Sequence, residues 1–200
     1  MNGVRRATVD EIPELAATLA RAFAHDPFYA FVAGAAPERN QRMRDGWTGF
    51  LRHATNGLSH TYTTEDHAGV AAWHPPGYRG AGFIDSLRLL PSAARMAGGI
   101  NRLRGVSRAV AALEQRRRRH VPGPHFYLSV LGVEPERQGE GIGSSLMQPV
   151  LEMATSAQLP AYLETATGRN VLLYERAGFA VVEELVIPGT DIHGWLMLRS

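Results

Sequence analysis

The chain has 200 residues, 44% of them hydrophobic, enough for one folded domain with a sizeable core. It contains no cysteine, which excludes disulfides, thiolate metal sites and a cysteine nucleophile, so any catalysis must use oxygen and nitrogen groups. The net charge is only +2, with arginine supplying all 21 of the Lys+Arg residues, and so small an excess argues against a nucleic-acid partner.

In chain order, "VRRATVDEIPELAATLARAF" predicts a short strand and then a helix capped by Asp10, with Pro13 in its first turn and Leu15, Leu19 and Phe23 at helical spacing. That helix is expected to stop near "HDP", because Pro27 restricts the residue before it. "RNQRMRDGWTGFLRHATN" follows as a second amphipathic helix, with Met43, Trp47, Phe50 and Leu51 on one face. "SHTYTTEDHAGVAAWHPP" predicts a hairpin that ends at Pro75 and Pro76.

Residues 82–120 form a long helical pattern broken at Pro91 and again at Gly98-Gly99. Its last turn holds Arg116 to Arg119, which suit a solvated helix end favoured by the dipole; the functional alternative is contact with a phosphate or nucleic acid.

From there "HFYLSVLGV", "AYLETAT", "FAVVEELVI" and "HGWLMLR" have the character of strands. "IGSSLMQPVLEMATSA" and "RNVLLYERAG" are helical between them, the second ended by Gly178 as a C-cap. The C-terminal half therefore runs β-α-β-α-β-β, a mixed α/β layer fold. No apolar run approaches the roughly 20 residues that span a bilayer, and "MNGVRRATVDEIPEL" lacks the apolar centre of a secretory signal. A cytoplasmic protein with no membrane partner is expected.

The glycines of "GVEPERQGEGIGSSLM" stand on alternate positions, Gly139, Gly141 and Gly143, just before a helix. Glycine lets a backbone approach a ligand closely and a helix N-terminus offers unpaired N–H groups, so the segment suits a pyrophosphate. A Walker loop would need a Lys-Ser/Thr pair, which a chain without lysine cannot form, and the spacing does not match a dinucleotide fingerprint.

Gln138-x-x-Gly141-x-Gly143, following a strand that ends in "LGV", resembles the acyl-CoA signature of the GNAT acetyltransferase superfamily. "NVLLYERAGF" is similar to the asparagine, tyrosine and glycine-phenylalanine pair that this family often carries at the same place. Within it, "LGVEPERQGEGIGS", "PAYLETATGRNVLLYERAGF" and "AFAHDP" are similar to the puromycin N-acetyltransferases, densely from about residue 125 onward and thinly between about 35 and 120.

The resemblance implies an α/β (α+β) GNAT fold over residues 1–200: a mixed, mostly antiparallel sheet flanked by helices. Residues 1–120 would serve mainly the acceptor and 121–200 the acetyl-CoA. Backbone near Leu131, Gly132 and Val133 would meet the acetyl carbonyl. Gln138, Gly139, Glu140, Gly141, Ile142, Gly143 and Ser144 would surround the pyrophosphate, and Asn170 would bind the CoA arm or cap its helix.

Tyr174 is the candidate general acid: a phenol near pKa 10 can protonate a leaving thiolate whose acid lies near 8.5. The alternative is a core aromatic beside Leu173. Glu164 is the candidate base, which requires desolvation of its carboxylate; it could equally pair with an arginine while a water chain takes the proton. Asp26, Phe28 and Tyr29, with His25, fall where the family places part of its acceptor pocket, and Trp73, Trp47 and His74 could add aromatic walls, although core packing suits Trp47 better.

The eight histidines have no metal-ligand spacing, so no metal is expected. The implied activity is acetyl transfer from acetyl-CoA to a primary amine of a small molecule, such as an aminonucleoside antibiotic, by a monomer or homodimer. Acetylation of a protein or peptide amine, or acyl-CoA binding without turnover, are the alternatives.

Overall fold

A computed structural model describes residues 3–34, 38–53, 58–78, 91 and 93–200. The elements are β1 (Val4–Arg6), α1 (Ile12–Ala22), α2 (Pro27–Ala33), α3 (Arg39–His53), β2 (Thr61–Thr64), β3 (Gly69–His74) and α4 (Ile100–His120). They continue with β4 (Phe126–Val133), α5 (Ile142–Ala157), β5 (Ala161–Thr165), α6 (Gly168–Arg176), β6 (Ala180–Val186) and β7 (His193–Arg199). The first part of the expected long helical region, residues 82–90, lies outside the described residues.

The strands form one seven-stranded sheet in the order β1-β2-β3-β4-β5-β7-β6. The pairing is antiparallel throughout except between β4 and β5, which run parallel and are joined by the α5 crossover. This is the mixed, mostly antiparallel sheet expected from the sequence. On one face α5 and α6 bury Leu146, Met147, Val150 and Tyr174 against Trp73, Phe126, Leu128 and Leu163. On the other, α1 and α3 bury Leu15, Leu19, Met43, Trp47 and Leu51 against Val70, Ala72 and Val130, while α4 contributes to a smaller cluster over Tyr162 and Leu196. Each of the large aliphatic side chains contributes roughly 1.5–3 kcal/mol by leaving water.

Two local expectations are corrected. Asp10 does not cap α1: a 3-10 turn, Val9–Glu11, precedes the helix, and the Thr8 N–H donates to Glu11 Oε2 at 2.8 Å in a capping-box arrangement. "HDP" ends one helix but also starts another, because Asp26 is the N-cap of α2 and accepts from the Tyr29 N–H at 3.0 Å, with Pro27 at the first helical position. Gly178, at φ 88°, follows the end of α6 as expected of a C-cap glycine, and the Phe179 N–H returns to the Tyr174 carbonyl at 3.0 Å.

β4 carries a bulge that the uniform apolar letters of "FYLSVLGV" conceal. Trp73 pairs with Leu128 and Ala72 with Val130, which leaves Ser129 without a counterpart on β3, its hydroxyl donating to the Ala72 carbonyl at 3.0 Å. Leu128 therefore packs with α5, whereas Val130 packs with α1. Gly132 lies directly beneath α1: a Cβ there would stand 2.8 Å from Leu19 Cδ2, 3.1 Å from Ala22 Cβ and 3.2 Å from Phe23 Cε2. Gly132→Ala is expected to lose about 1–3 kcal/mol of stability by overpacking. Gly123→Ala, where a Cβ meets nothing within 4 Å, is expected to change it by less than about 0.5 kcal/mol, both read from urea denaturation.

Candidate active site

β4 and β5 pair only at Phe126↔Ala161, Tyr127↔Tyr162 and Leu128↔Leu163. Beyond that point the strands part: β4 continues beside β3 alone, and Glu164 and Thr165 continue beside Leu196 and Trp195 of β7. A cavity of about 580 Å³ opens over the gap. Its lining includes Phe23, Asp26 and Tyr29 from the α1–α2 corner, Val110 and Glu114 from α4, Tyr127 and Leu131 from β4, Glu164 from β5, and Asn170 and Tyr174 from α6.

At the open end of the gap the glycine segment leads into α5. Gly139 and Gly141 have φ of 90° and 81°, and a Cβ on either would meet nothing within 4 Å. The first amide to bond back along α5 is that of Ser145, to the Gly141 carbonyl at 3.0 Å. Among the described residues, the consecutive N–H groups of Gly139, Glu140, Gly141, Ile142, Gly143 and Ser144 donate to no protein acceptor. Such a row of free amides at a helix N-terminus is a seat for an anion. Gln138 steadies it, donating to the Val133 carbonyl at 3.2 Å and accepting from Arg169 at 3.2 Å, while Arg137 bonds Glu140 at 2.8 Å and Asp66 at 2.9 Å. A pyrophosphate fits this chemistry, and the parted strands leave room for an extended arm beside it.

Glu164 lies deep in the protein yet keeps part of its surface on the cavity. Burial pushes its carboxyl up to about 7, against the opposing pull of the Tyr127 and Tyr162 hydroxyls and the Arg117 charge. Strand alternation explains the grouping, since Tyr162 precedes Glu164 by two residues and Tyr127 lies opposite Tyr162. Burial, and then Glu164, raise the Tyr127 and Tyr162 phenols well above their ordinary value. His74, stacked on Tyr78 with ring centroids 3.7 Å apart, extends this aromatic floor, and burial lowers its pKa to about 4.

Tyr174 is 6% exposed, packs edge-on against Phe179 and turns onto the cavity. Its hydroxyl has no hydrogen-bond partner among the described residues, and burial, followed by the Asp26 charge, raises its pKa, so it holds its proton at neutral pH. The same residue is thus both core aromatic and cavity hydroxyl.

Asp26 both caps α2 and accepts from Thr167 Oγ1 at 3.2 Å, linking the first helices to the start of α6. Burial raises its pKa. Phe28 and Tyr29 line the cavity; His25 is exposed and does not. Trp73 is a correction: it is 1% exposed, packs among Phe126, Leu128 and the α5 side chains, and contributes nothing to the cavity wall. Strand alternation puts it on the opposite face of β3 from His74, which does line the cavity. Trp47 is core, as its helical spacing suggests. Gly132 faces α1 and not the cavity, whereas Leu131 lines it. Asn170 is the third residue of α6, so Thr167 occupies the cap and Asn170 is left to face the cavity. The run Arg116 to Arg119 is not a uniformly solvated end, because Arg117 is 2% exposed. Tyr127, Tyr162 and Tyr78 were not singled out from the sequence, and Arg117 was read only as one of the run at the end of its helix.

Comparison with known proteins bears on this arrangement. The model of the acetyltransferase (GNAT) family matches residues 102–179. An uncharacterized N-acetyltransferase of Schizosaccharomyces pombe is 24% identical over 192 residues, covering 92% of this chain and 76% of that protein. Among solved structures, one described as histone acetyltransferase HPA2 and related acetyltransferase from Corynebacterium glutamicum superposes with a TM-score of 0.69. It is 21% identical and covers 98% of this chain and 94% of its own. An agmatine N-acetyltransferase superposes with a TM-score of 0.66 at 16% identity, covering 98% and 97% of the two chains. The fold is the GNAT fold, and the matched family model and relatives indicate an acetyltransferase enzyme.

Because Asp26 holds two elements together at the cavity mouth, Asp26→Ala is expected to cost about 1 kcal/mol through the lost cap, with Asp26→Asn recovering most of it. Thermal denaturation of the two variants checks this; equal losses in both would mean that the cap contributes nothing.

Proposed function

We propose that the chain transfers the acetyl group of acetyl-CoA directly to the primary amine of a small molecule bound in the cavity. The observation that carries this reading is that Glu164 and Tyr174, an ionisable carboxyl and a protonated phenol, line one cavity at the point where β4 and β5 part. The free amides from Gly139 to Ser144 suit the cofactor's pyrophosphate, and Leu131 and Asn170 suit its pantetheine arm. Bound there, acetyl-CoA supplies an activated acyl group.

Each residue then has a task set by its environment. The acceptor amine must be neutral when it attacks, and Glu164, ionised above about pH 7, takes its proton directly or through a water. Backbone groups of β4 left without a strand partner lie where charge grows on the carbonyl oxygen. Tyr174, which keeps its proton, gives it to the departing thiolate.

The acceptor class follows from the lining. Phe23, Phe28, Tyr29 and Phe50 on one side and His74, Tyr78 and Tyr127 on the other offer flat apolar surfaces, with Asp26 and Glu164 for a cationic amine. An aromatic amine, of which an aminonucleoside antibiotic is one kind, uses both features. A compact polyamine such as agmatine, acted on by one protein of the same fold, uses the carboxylates alone. The aromatic lining favours either over a peptide.

Tyr174→Phe is expected to lower turnover roughly 10²-fold with little change in acetyl-CoA affinity. In the intact enzyme kcat/KM should rise with pH through about 7, since the base acts when ionised, and Glu164→Gln should abolish that limb. Unchanged turnover in Tyr174→Phe would remove it from the mechanism.

Release of CoA thiol, measured with puromycin, agmatine, spermidine and short peptides, tests the acceptor. With no cysteine in the chain the thiol reagent sees only product. Turnover is expected with puromycin above agmatine, and turnover confined to peptides would overturn the small-molecule reading.

A further inference from the structure

Arg117 stands in a run of four arginines at the end of α4, yet it alone of them is enclosed, at 2% exposure. The helix dictates this. Ala109, Leu113 and Arg117 recur at four-residue spacing, Ala109 is fully buried, and Leu113 packs on the Tyr162–Leu196 cluster. The arginine therefore points where a hydrophobic residue would be expected.

Each nitrogen of its guanidinium has a partner. Glu114 accepts from Nε at 3.0 Å and from NH2 at 2.7 and 2.6 Å. NH1 donates to His125 Nε2 at 2.7 Å, and His125 Nδ1 donates to the Gly123 carbonyl at 2.7 Å, a pair of contacts that fixes a neutral tautomer. Its central carbon lies 4.9 Å from the Tyr127 ring centroid and 5.5 Å from that of Tyr78, the two rings that form the floor of the cavity. A buried arginine held by an ion pair contributes little to stability compared with a well-packed apolar residue, so a role in the site is the stronger account of Arg117.

The groups that act on Glu164 are Tyr127 from β4, Tyr162 from its own strand, Tyr29 from α2, and Arg117 and Glu114 from α4; β7 places Leu196 opposite it. The cation among them is Arg117.

We propose that Arg117 is a positioning residue of this site: clamped by Glu114 and His125, it holds the Tyr127 and Tyr78 rings in register and supplies the positive charge against which Glu164 exchanges its proton. This rests on the reading of Glu164 as the base. Arg117 and Glu114 act on Glu164 with opposite signs, the first favouring its ionised form and the second opposing it. α4 thereby holds a fixed charge pair that adjusts the acidity of a carboxyl on the sheet.

Opposite signs give a test that a purely structural role cannot imitate. Carbon-13 carboxyl NMR of the ligand-free protein, with the Glu164 signal assigned through Glu164→Gln, follows its titration without any acceptor. The intact protein should show a midpoint near about 7. Arg117→Met should raise that midpoint by about one pH unit or more, and Glu114→Gln should lower it, while Arg117→Lys, which keeps the charge, should leave it close to the original. If Arg117→Met does not fold by circular dichroism, the downward shift in Glu114→Gln decides. Folded Arg117→Met and Glu114→Gln proteins with unmoved midpoints would overturn the proposal. Midpoints that move while the pH dependence of acetyl transfer to puromycin or agmatine does not would leave Arg117 in its role and overturn Glu164 as the base.

Discussion

The parallel pairing of β4 with β5 ends after Leu128↔Leu163, and the rest of the site depends on that interruption. Backbone polar groups that lose a strand partner must find another, so an open gap within a sheet is stable only where ligand or water can complete it. Parallel neighbours also require a crossover, and α5 supplies it with its N-terminus at the open end of the gap. The amides from Gly139 to Ser144, unpaired among the described residues, and the parted strands are thus two consequences of one topology. The bulge at Ser129 adds to it by exchanging which β4 side chains face α1 and which face α5.

Electrostatics inside the cavity follow from burial more than from charge count. The chain is nearly neutral, but Asp26 and Glu164 both sit where desolvation disfavours their ionised forms, and the Tyr174 phenol is held protonated for the same reason. A titrating carboxyl and a protonated phenol can coexist in one cavity because desolvation raises the carboxyl only to about 7 and carries the phenol further above its already high ordinary value. Neutral His74 and the ring stack keep the floor apolar, and the enclosed Arg117, paired with Glu114, brings positive charge close to it.

Features set by neighbours in the chain were legible in the letters. The glycine segment, the helix after it and the Gly178 terminus depend on φ and on helix capping, which short stretches specify. Where a local signal had two meanings, the letters were insufficient. Asp26-Pro27 ends α1 and equally begins α2, and only the geometry of Tyr29 and Thr167 gives Asp26 its two partners. Trp73 has the composition of a pocket wall, but alternation does not say which face of a strand meets the cavity, and Trp73 falls on the face opposite His74. Arg117 could have been found from its four-residue spacing to Leu113 and Ala109, a pattern masked by the identical residues around it.

The sequence by itself determined the β-α-β-α-β-β half and the glycine turn before α5, which periodicity and glycine placement encode, and through a motif that resembles a known family it offered an acid and a base candidate. Only the tertiary structure decided that Glu164 and Tyr174 share a cavity, that Tyr127, Tyr162 and Arg117 act on the same carboxyl, and that Trp73 does not take part. Those outcomes depend on strand register, on where a parallel pair stops, and on how deeply a side chain is removed from water, and each of these is a property of residues distant in the chain.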